Sequence, residues 1–355
     1  MHPPRHGGNL AWAAAIARCA PNEILDFSAS LNPWGPPKSV IAALQASLAT
    51  IRDYPDPDCR PLVAALTTLH RLPKDYFLVG NGAAELLTWV GRECGQRQRV
   101  FVVVPAFADY RRAVAAFDST LVPLPLPQVQ NNFSEVLPEL TQRDAIIVNN
   151  PHNPSGHLWS RNHLQPLLET GALVVVDEAF MDFLPPPANE SLIAAVPEYP
   201  NLIVLRSLTK FYGLAGLRLG YALSSPERWQ RWRAWRDPWS VNSLAIIAGV
   251  TALGDRPFQE HTWQWLPPTR HAFAAALNAL PKLKVVTKSK ANFLLIQATG
   301  SILPLQTYLL QQHRILIRDC CSFPELGASY FRVAVRRDSE NQGLLEALRA
   351  YYQCQ

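Results

Sequence analysis

The sequence predicts an α/β fold, a large domain built on a mostly parallel sheet and accompanied by a smaller α+β domain. Three observations predict it. Short, near-continuous Val/Ile/Leu runs recur through the middle of the 355-residue chain, and such runs belong to strands buried on both faces. Helical patterns separate these runs, so strand and helix alternate. In the last third the order changes to two helical stretches and then four short strands.

The elements follow in order. "YFLVGNG" (76–82) is the first sheet strand, and "AAELLTWVGREC" (83–94) is the helix after it. "RVFVVVP" (99–105) precedes the helical "ADYRRAVAAF" (108–117). "DAIIVNNP" (144–151) leads through a Pro-rich loop to the helix "RNHLQPLLET" (161–170). "ALVVVDEAF" (172–180), "NLIVLRSLTK" (201–210) and "GLRLGYAL" (216–223) complete the sheet. Helical patterns near 240–253 and 268–280 come next, then the strands "KLKVV", "ANFLLIQ", "RILIRDC" and "YFRVAVR". The expected large domain is 46–250, with 1–45 and 251–355 forming an N-terminal arm plus the small domain.

Composition narrows the function classes. Hydrophobic residues make up 48% and charged residues 17%, ordinary values for a globular protein. The net charge of +5 is mild and spread along the chain, so it suits anionic small molecules as readily as nucleic acid. Six cysteines include no C-x-x-C pair, which leaves zinc and thioredoxin-like readings without support, and no metal site is expected. Free thiols fit a reducing cytoplasm. The start "MHPPRHGG" carries no signal-peptide core, and no apolar run approaches the roughly 20 residues of a membrane span. "ERWQRWRAWRDPW" (227–239) interleaves Arg231, Arg233 and Arg236 with Trp229, Trp232, Trp235 and Trp239. Arginines among aromatics can bind single strands. Tryptophans every three residues on a helix, however, read first as a packing or dimer face, and no nucleic-acid partner is expected.

The chemistry sits where strands end, the usual ligand position in open α/β sheets. Asp177 closes a buried run, and a buried carboxylate needs a cation or several donors. It caps the next helix or faces a cationic ring nitrogen. "GNGAAELL" opens a helix after a strand, and its backbone N–H groups can cradle an anion. Ser207 and Arg218 can serve the same anion. Lys210 lies between them, and a desolvated lysine near other cations has a lowered pKa and can form a Schiff base. Asn153 in "NNPHNPSG" and Phe107 in "PAFADY" add a donor and a stacking ring. An aspartate for a ring nitrogen, an anion cradle and a reactive lysine are the parts of a pyridoxal 5′-phosphate site.

The ordered set strand-GNG-helix, PxF, NPxNPxG, DEAF, SLTK and GLRLGY resembles the fold type I pyridoxal-phosphate enzymes, in the group that contains histidinol-phosphate aminotransferase. The resemblance runs over nearly the whole chain. It implies Lys210 as the Schiff-base lysine, Asp177 on the pyridine nitrogen and Asn153 on O3′. It implies phosphate contacts from the Gly82 and Ala83 backbone, Ser207 and Arg218. It also implies an obligate homodimer in which Tyr54 of "RDYPDPD" reaches the partner's cofactor. "RHGGN", "LDFSASLNPWGPP", "DEAFMDF", "DPWSVN" and "RILIRDCCSFPELGASYFRVAVR" resemble, within that group, the threonine-phosphate decarboxylases of cobalamin biosynthesis. This implies a phosphorylated amino-acid substrate held by His6, Gly7, Arg318 and Arg332. Where those enzymes often carry an asparagine in "SANINP", this chain has Ser30, a shorter donor, which admits serine phosphate beside threonine phosphate. A histidinol-phosphate-type aminotransferase is the competing expectation.

Overall fold

A computed structural model describes residues 6–353; residues 1–5 and 354–355, Cys354 among them, lie outside it. The chain enters through a helix, Leu10–Ala17, and a two-residue strand, β1 (Leu25–Asp26). Seven strands build the central sheet: β2 (Phe77–Asn81), β3 (Arg99–Val104), β4 (Leu121–Pro125), β5 (Asp144–Asn149), β6 (Leu173–Asp177), β7 (Leu202–Ser207) and β8 (Leu219–Leu223). Their spatial order is β4-β3-β5-β6-β7-β8-β2. Neighbours from β4 to β7 pair in parallel, and β8 runs antiparallel to both β7 and β2. Every residue of β5, β6, β7 and β8 is buried, which is why these segments read as unbroken apolar runs.

β4 was not foreseen. Its sequence LVPLP puts Pro123 and Pro125 in a strand, and proline cannot donate to a ladder. The strand lies at the sheet's edge and pairs only with β3, so its prolines cost no hydrogen bond on the open side.

The remaining strands are β9 (Leu283–Val285), β10 (Phe293–Ala298), β11 (Ile315–Leu316), β12 (Arg318–Asp319) and β13 (Tyr330–Ala334). An antiparallel sheet runs β12-β13-β10-β9. The "RILIRDC" run expected as one strand divides at Ile317: β11 pairs in parallel with β1, while β12 joins β13. The entering arm is thereby stitched to the last third of the chain. Ala13, Ala14 and Ile24 pack with Leu310 and Leu316 at that seam.

The helix expected from 268 begins earlier, spanning Arg256–Asn278 with Pro267 and Pro268 inside it. Asp255 caps it, accepting from the Phe258 N–H at 3.1 Å. Leu266, Phe273 and Leu277 bury one face in the main core, and this packing outweighs the local penalty of the prolines. The tryptophan-rich helix, Pro226–Arg233, is shorter than expected, so Trp235 falls beyond its end. Trp229 and Trp232 are fully buried against the sheet. Their Nε1 groups donate to the Tyr76 carbonyl at 2.8 Å and to Glu93 Oε1 at 3.0 Å. This is a packing face.

Candidate active site

The parallel strands β5, β6 and β7 end side by side at Asn149, Asp177 and Ser207. Above these ends lies a crevice of about 220 Å³. Its floor carries Asp177, 8% exposed, and Lys210, in the four-residue helix Leu208–Phe211 directly after β7. Strands that stop at a polar residue and turn into a helix present that residue at the sheet's carboxyl edge.

Asp177 is held at both oxygens. Oδ2 accepts from the Tyr110 hydroxyl at 2.5 Å, and Oδ1 accepts from the Ala179 N–H at 3.0 Å. Burial pushes its carboxyl above the usual carboxylate range, and the Tyr110 hydroxyl, the Ala179 amide and Lys210 each pull it back in part. Burial brings the Lys210 amine down to about 8, helped by the charges of Arg332 and Arg218 and opposed by Asp177 and Asp26. The lysine is thus available as a neutral nucleophile near physiological pH.

One wall of the crevice is suited to an anion. The helix Gly82–Cys94 starts at its rim with no side-chain cap, and Ala83 and Ala84 line the cavity. The first amides of such a helix lack intrahelical partners and carry the positive end of the dipole. Gly82 has φ +75°, and a Cβ there would lie 2.7 Å from Arg218 Nη2. Only glycine lets the guanidinium close on this helix start. Arg218 itself takes a left-handed conformation, φ 56°. Ser207 and Phe107 complete the lining on this side.

The opposite wall comes from the arm and the small sheet. Arg318, from β12, donates to Ser322 Oγ at 2.5 Å. Arg332, from β13, donates to Asn153 Oδ1 and, at 3.3 Å, to the Ser28 carbonyl. Burial lowers both guanidinium groups, Arg332 to about 10 with Arg318 adding to the effect. The two residues are register partners across β12 and β13. Two cations held this close inside the protein call for an anion between or beside them. His6 and Gly7 reach the same cavity, with the His6 ring 5.5 Å from that of Phe107.

The crevice therefore gathers His6, Gly7, Ser30, Ala83, Phe107, Asn153, Asp177, Ser207, Lys210, Arg218, Arg318 and Arg332, all named from the sequence. Gly82 stands just behind the rim, shaping it through Arg218. Tyr54 is not in the crevice: it is 80% exposed, and its ring lies tilted against that of Trp239, with centroids 4.7 Å apart. Ser30 is buried, and its Oγ has no hydrogen-bond partner among the described residues. Tyr110 escaped the sequence reading. The signal was present, since it lies three residues after Phe107 in the helix Ala108–Ala115 and so shares its face. Asn149 also escaped; its side chain donates to the Asp177 carbonyl at 2.7 Å and accepts from the Asn153 N–H at 2.7 Å.

The donor set fits pyridoxal 5′-phosphate. An uncapped helix start with Ser207 and Arg218 suits a phosphate. A half-buried lysine with a lowered pKa suits an aldehyde, and a buried carboxylate with a raised one suits a ring nitrogen that carries a proton.

Residues 22–348 match the model of the family described as aminotransferase class I and II. The chain is 40% identical to the threonine-phosphate decarboxylase of Salmonella typhimurium, over 97% of this chain and 95% of that protein. It is 34% identical to a histidinol-phosphate aminotransferase of Symbiobacterium thermophilum, over 93% and 91%. Among solved structures, the L-threonine-O-3-phosphate decarboxylase of Porphyromonas gingivalis superposes with a TM-score of 0.82 at 26% identity, covering 92% of this chain and 99% of that one.

Proposed function

Because the chain belongs to the family of class I and II aminotransferases, we propose that it uses pyridoxal 5′-phosphate to decarboxylate L-threonine O-3-phosphate. The products are (R)-1-amino-2-propanol O-2-phosphate and CO2, the former an intermediate for cobalamin. The observation that carries the reading is one crevice with two anion-binding walls, facing each other across Lys210 and Asp177. One wall suits the cofactor's phosphate and the other a second phosphate, that of the substrate. The similarity to threonine-phosphate decarboxylases supports the choice of substrate.

When bound, the cofactor supplies an aldehyde for the substrate amine and a protonated ring that draws electrons from a breaking bond at Cα. The chain's residues do the rest. The Gly82 and Ala83 backbone, Ser207 and Arg218 would hold the cofactor phosphate, and Phe107 would lie beside the ring. Asp177, which accepts from the Tyr110 hydroxyl and the Ala179 amide, would hold the proton on the ring nitrogen. Asn153 would donate to the phenolic oxygen. Lys210 would supply the amine that holds the cofactor's aldehyde, and it would be a proton donor to Cα, with water or a tyrosine as the alternative donor.

His6, Gly7, Arg318 and Arg332 grip the substrate phosphate and thereby choose the reaction. The pose set by these four residues would decide the outcome: a grip that presents the carboxylate for cleavage would favour decarboxylation, and one that presents Cα–H would favour amino transfer. Ser30 offers its free hydroxyl to the substrate. Tyr54 serves the cofactor of a partner subunit in a homodimer. Its exposure beside the exposed Trp239 leaves aromatic surface suited to such a cover. The enzyme works in the cytoplasm; among the described residues the five cysteines are free and no helix is long and apolar enough to cross a membrane.

Incubation with O-phospho-L-threonine tests the reading directly. Stoichiometric CO2 is expected, lost in Lys210→Ala together with the cofactor's absorbance band. Arg332→Ala is expected to weaken substrate binding and leave that band intact. Amino transfer to 2-oxoglutarate without CO2 moves the function to the aminotransferase relatives.

A further inference from the structure

The arm meets the crevice at one buried serine. Ser28 follows β1 and is 1% exposed. Its Oγ donates to Asp26 Oδ1 at 2.6 Å and accepts from the Gly8 N–H at 2.8 Å. Asp26 Oδ1 also takes the Ser28 and Ala29 amides, at 2.7 and 3.3 Å. With the hydroxyl proton committed to that carboxylate, the oxygen's lone pairs face the arm. The carbonyl of the same residue accepts from Arg332 Nη2 at 3.3 Å.

The arm lies flush on this residue. A Cβ at Gly7 would stand 2.4 Å from the Ser28 carbonyl oxygen and 3.1 Å from its Oγ. Gly8 turns the chain with φ +83°. Asn9 then caps the helix Leu10–Ala17, accepting from the Trp12 N–H at 3.0 Å. That helix is anchored separately by Ala13 and Ala14 against Leu310 and Leu316. Residues 6–8 thus span the distance between a packed helix and one serine hydroxyl.

We infer that Ser28 is a positioning residue, a latch that holds the arm over the crevice and ties it to Arg332 so that both meet the substrate phosphate as one unit. The inference rests on the proposed phosphate grip. A side chain that only filled space could be trimmed to alanine with little effect on substrate binding. A latch cannot, because the Gly8 N–H loses its acceptor and the arm loses its register with the arginine.

The test compares Ser28→Ala, Gly7→Ala and the double variant as holoenzymes. Inorganic phosphate serves as the probe, since in the holoenzyme the cofactor's own phosphate wall is filled. Amide hydrogen exchange at residues 7–9 is expected to slow on phosphate addition in the wild type and to stay fast in both variants. Each variant is expected to raise KM for O-phospho-L-threonine by roughly tenfold, the upper effect of one neutral hydrogen bond, with a smaller change in kcat. The double variant is expected to match the singles, because both break one contact from its two sides. Wild-type protection and KM in Ser28→Ala, or additive effects in the double variant, overturn the latch alone. A wild type that neither protects its arm with phosphate nor releases CO2 overturns both the latch and the proposed activity.

Discussion

Tyr110→Phe is the sharpest perturbation of the proposed chemistry, because it removes one oxygen and leaves the packing. The ring stays edge-on to Phe107 at 5.7 Å. What goes is the 2.5 Å hydrogen bond to Asp177 Oδ2, leaving the carboxylate with the Ala179 amide alone at 3.0 Å. A hydrogen bond to a charged group is worth about 1.5–3 kcal/mol, and one pKa unit corresponds to about 1.4 kcal/mol. The Asp177 carboxyl, already above its ordinary range through burial, should rise by roughly 1–2 units more. A higher pKa means the proton arrives at a higher pH. The acid limb of kcat should therefore move up by roughly 1–2 pH units, with kcat approaching wild type on the alkaline side. The same shift appears in folding. A carboxyl whose folded pKa exceeds its unfolded one favours the fold at low pH and loses that contribution as pH rises through the folded value. Cofactor-free Tyr110→Phe should match wild type most closely in acid and fall behind as pH rises, read by chemical denaturation. Superimposable acid limbs would refute the reasoning, and so would an equal loss from Tyr110→Phe in an Asp177→Asn background.

Two further expectations concern other groups. Lys210 sits near 8 rather than its ordinary 10.5, so capture of pyridoxal phosphate by cofactor-free protein should rise with pH through about 8 and then level off. Arg332→Gln should move that midpoint upward by removing a cation that disfavours the charged amine; a midpoint near the free-lysine value in the wild type would contradict the burial argument. Tyr54 is expected to act in trans. Mixing inactive Lys210→Ala subunits with cofactor-poor Tyr54→Ala subunits should regain activity, since one site of each mixed dimer carries neither change. A mixture as inactive as its components would show that Tyr54 serves its own subunit or none.

How much of this was legible depended on whether the physics was local. β5, β6 and β7 are buried on both faces, and nothing but an apolar run can satisfy such a site; their polar last residues therefore stood out. Asn149 ends such a run as well, yet its neighbours in "NNPHNP" offered several asparagines, and only the turn after β5 selects which ones face the cavity. β4 was missed because its prolines contradict strand propensity, and that contradiction disappears only at an edge. The helix Arg256–Asn278 was entered twelve residues late for a related reason. Pro267 and Pro268 remove local hydrogen bonds, while the burial of Leu266 and Phe273 that compensates them is distant in sequence.

The crevice shows the same division. Lys210, Asp177, Ser207 and Arg218 were readable because each follows or opens an element of one continuous α/β pattern. Ser28 and Tyr110 act through partners 20 and 67 residues away, and neither carries a motif of its own. Both line the crevice and hold another part of it in place through one hydrogen bond. Such residues are specified by a single hydrogen-bond geometry, which many side chains at many positions could supply, so sequence offers no pattern to find them. The opposed arginines lie between these cases. Arg318 and Arg332 stand fourteen positions apart in the chain but share a register pair in the sheet. Their closeness has an energetic cost, which Asp319, 3.7 Å from Arg318, and Asp26, acting on Arg332, offset in part. Two guanidinium groups set in register beside one crevice give that wall a concentrated positive charge, and it is this pairing in space, more than any motif, on which the proposed substrate site rests.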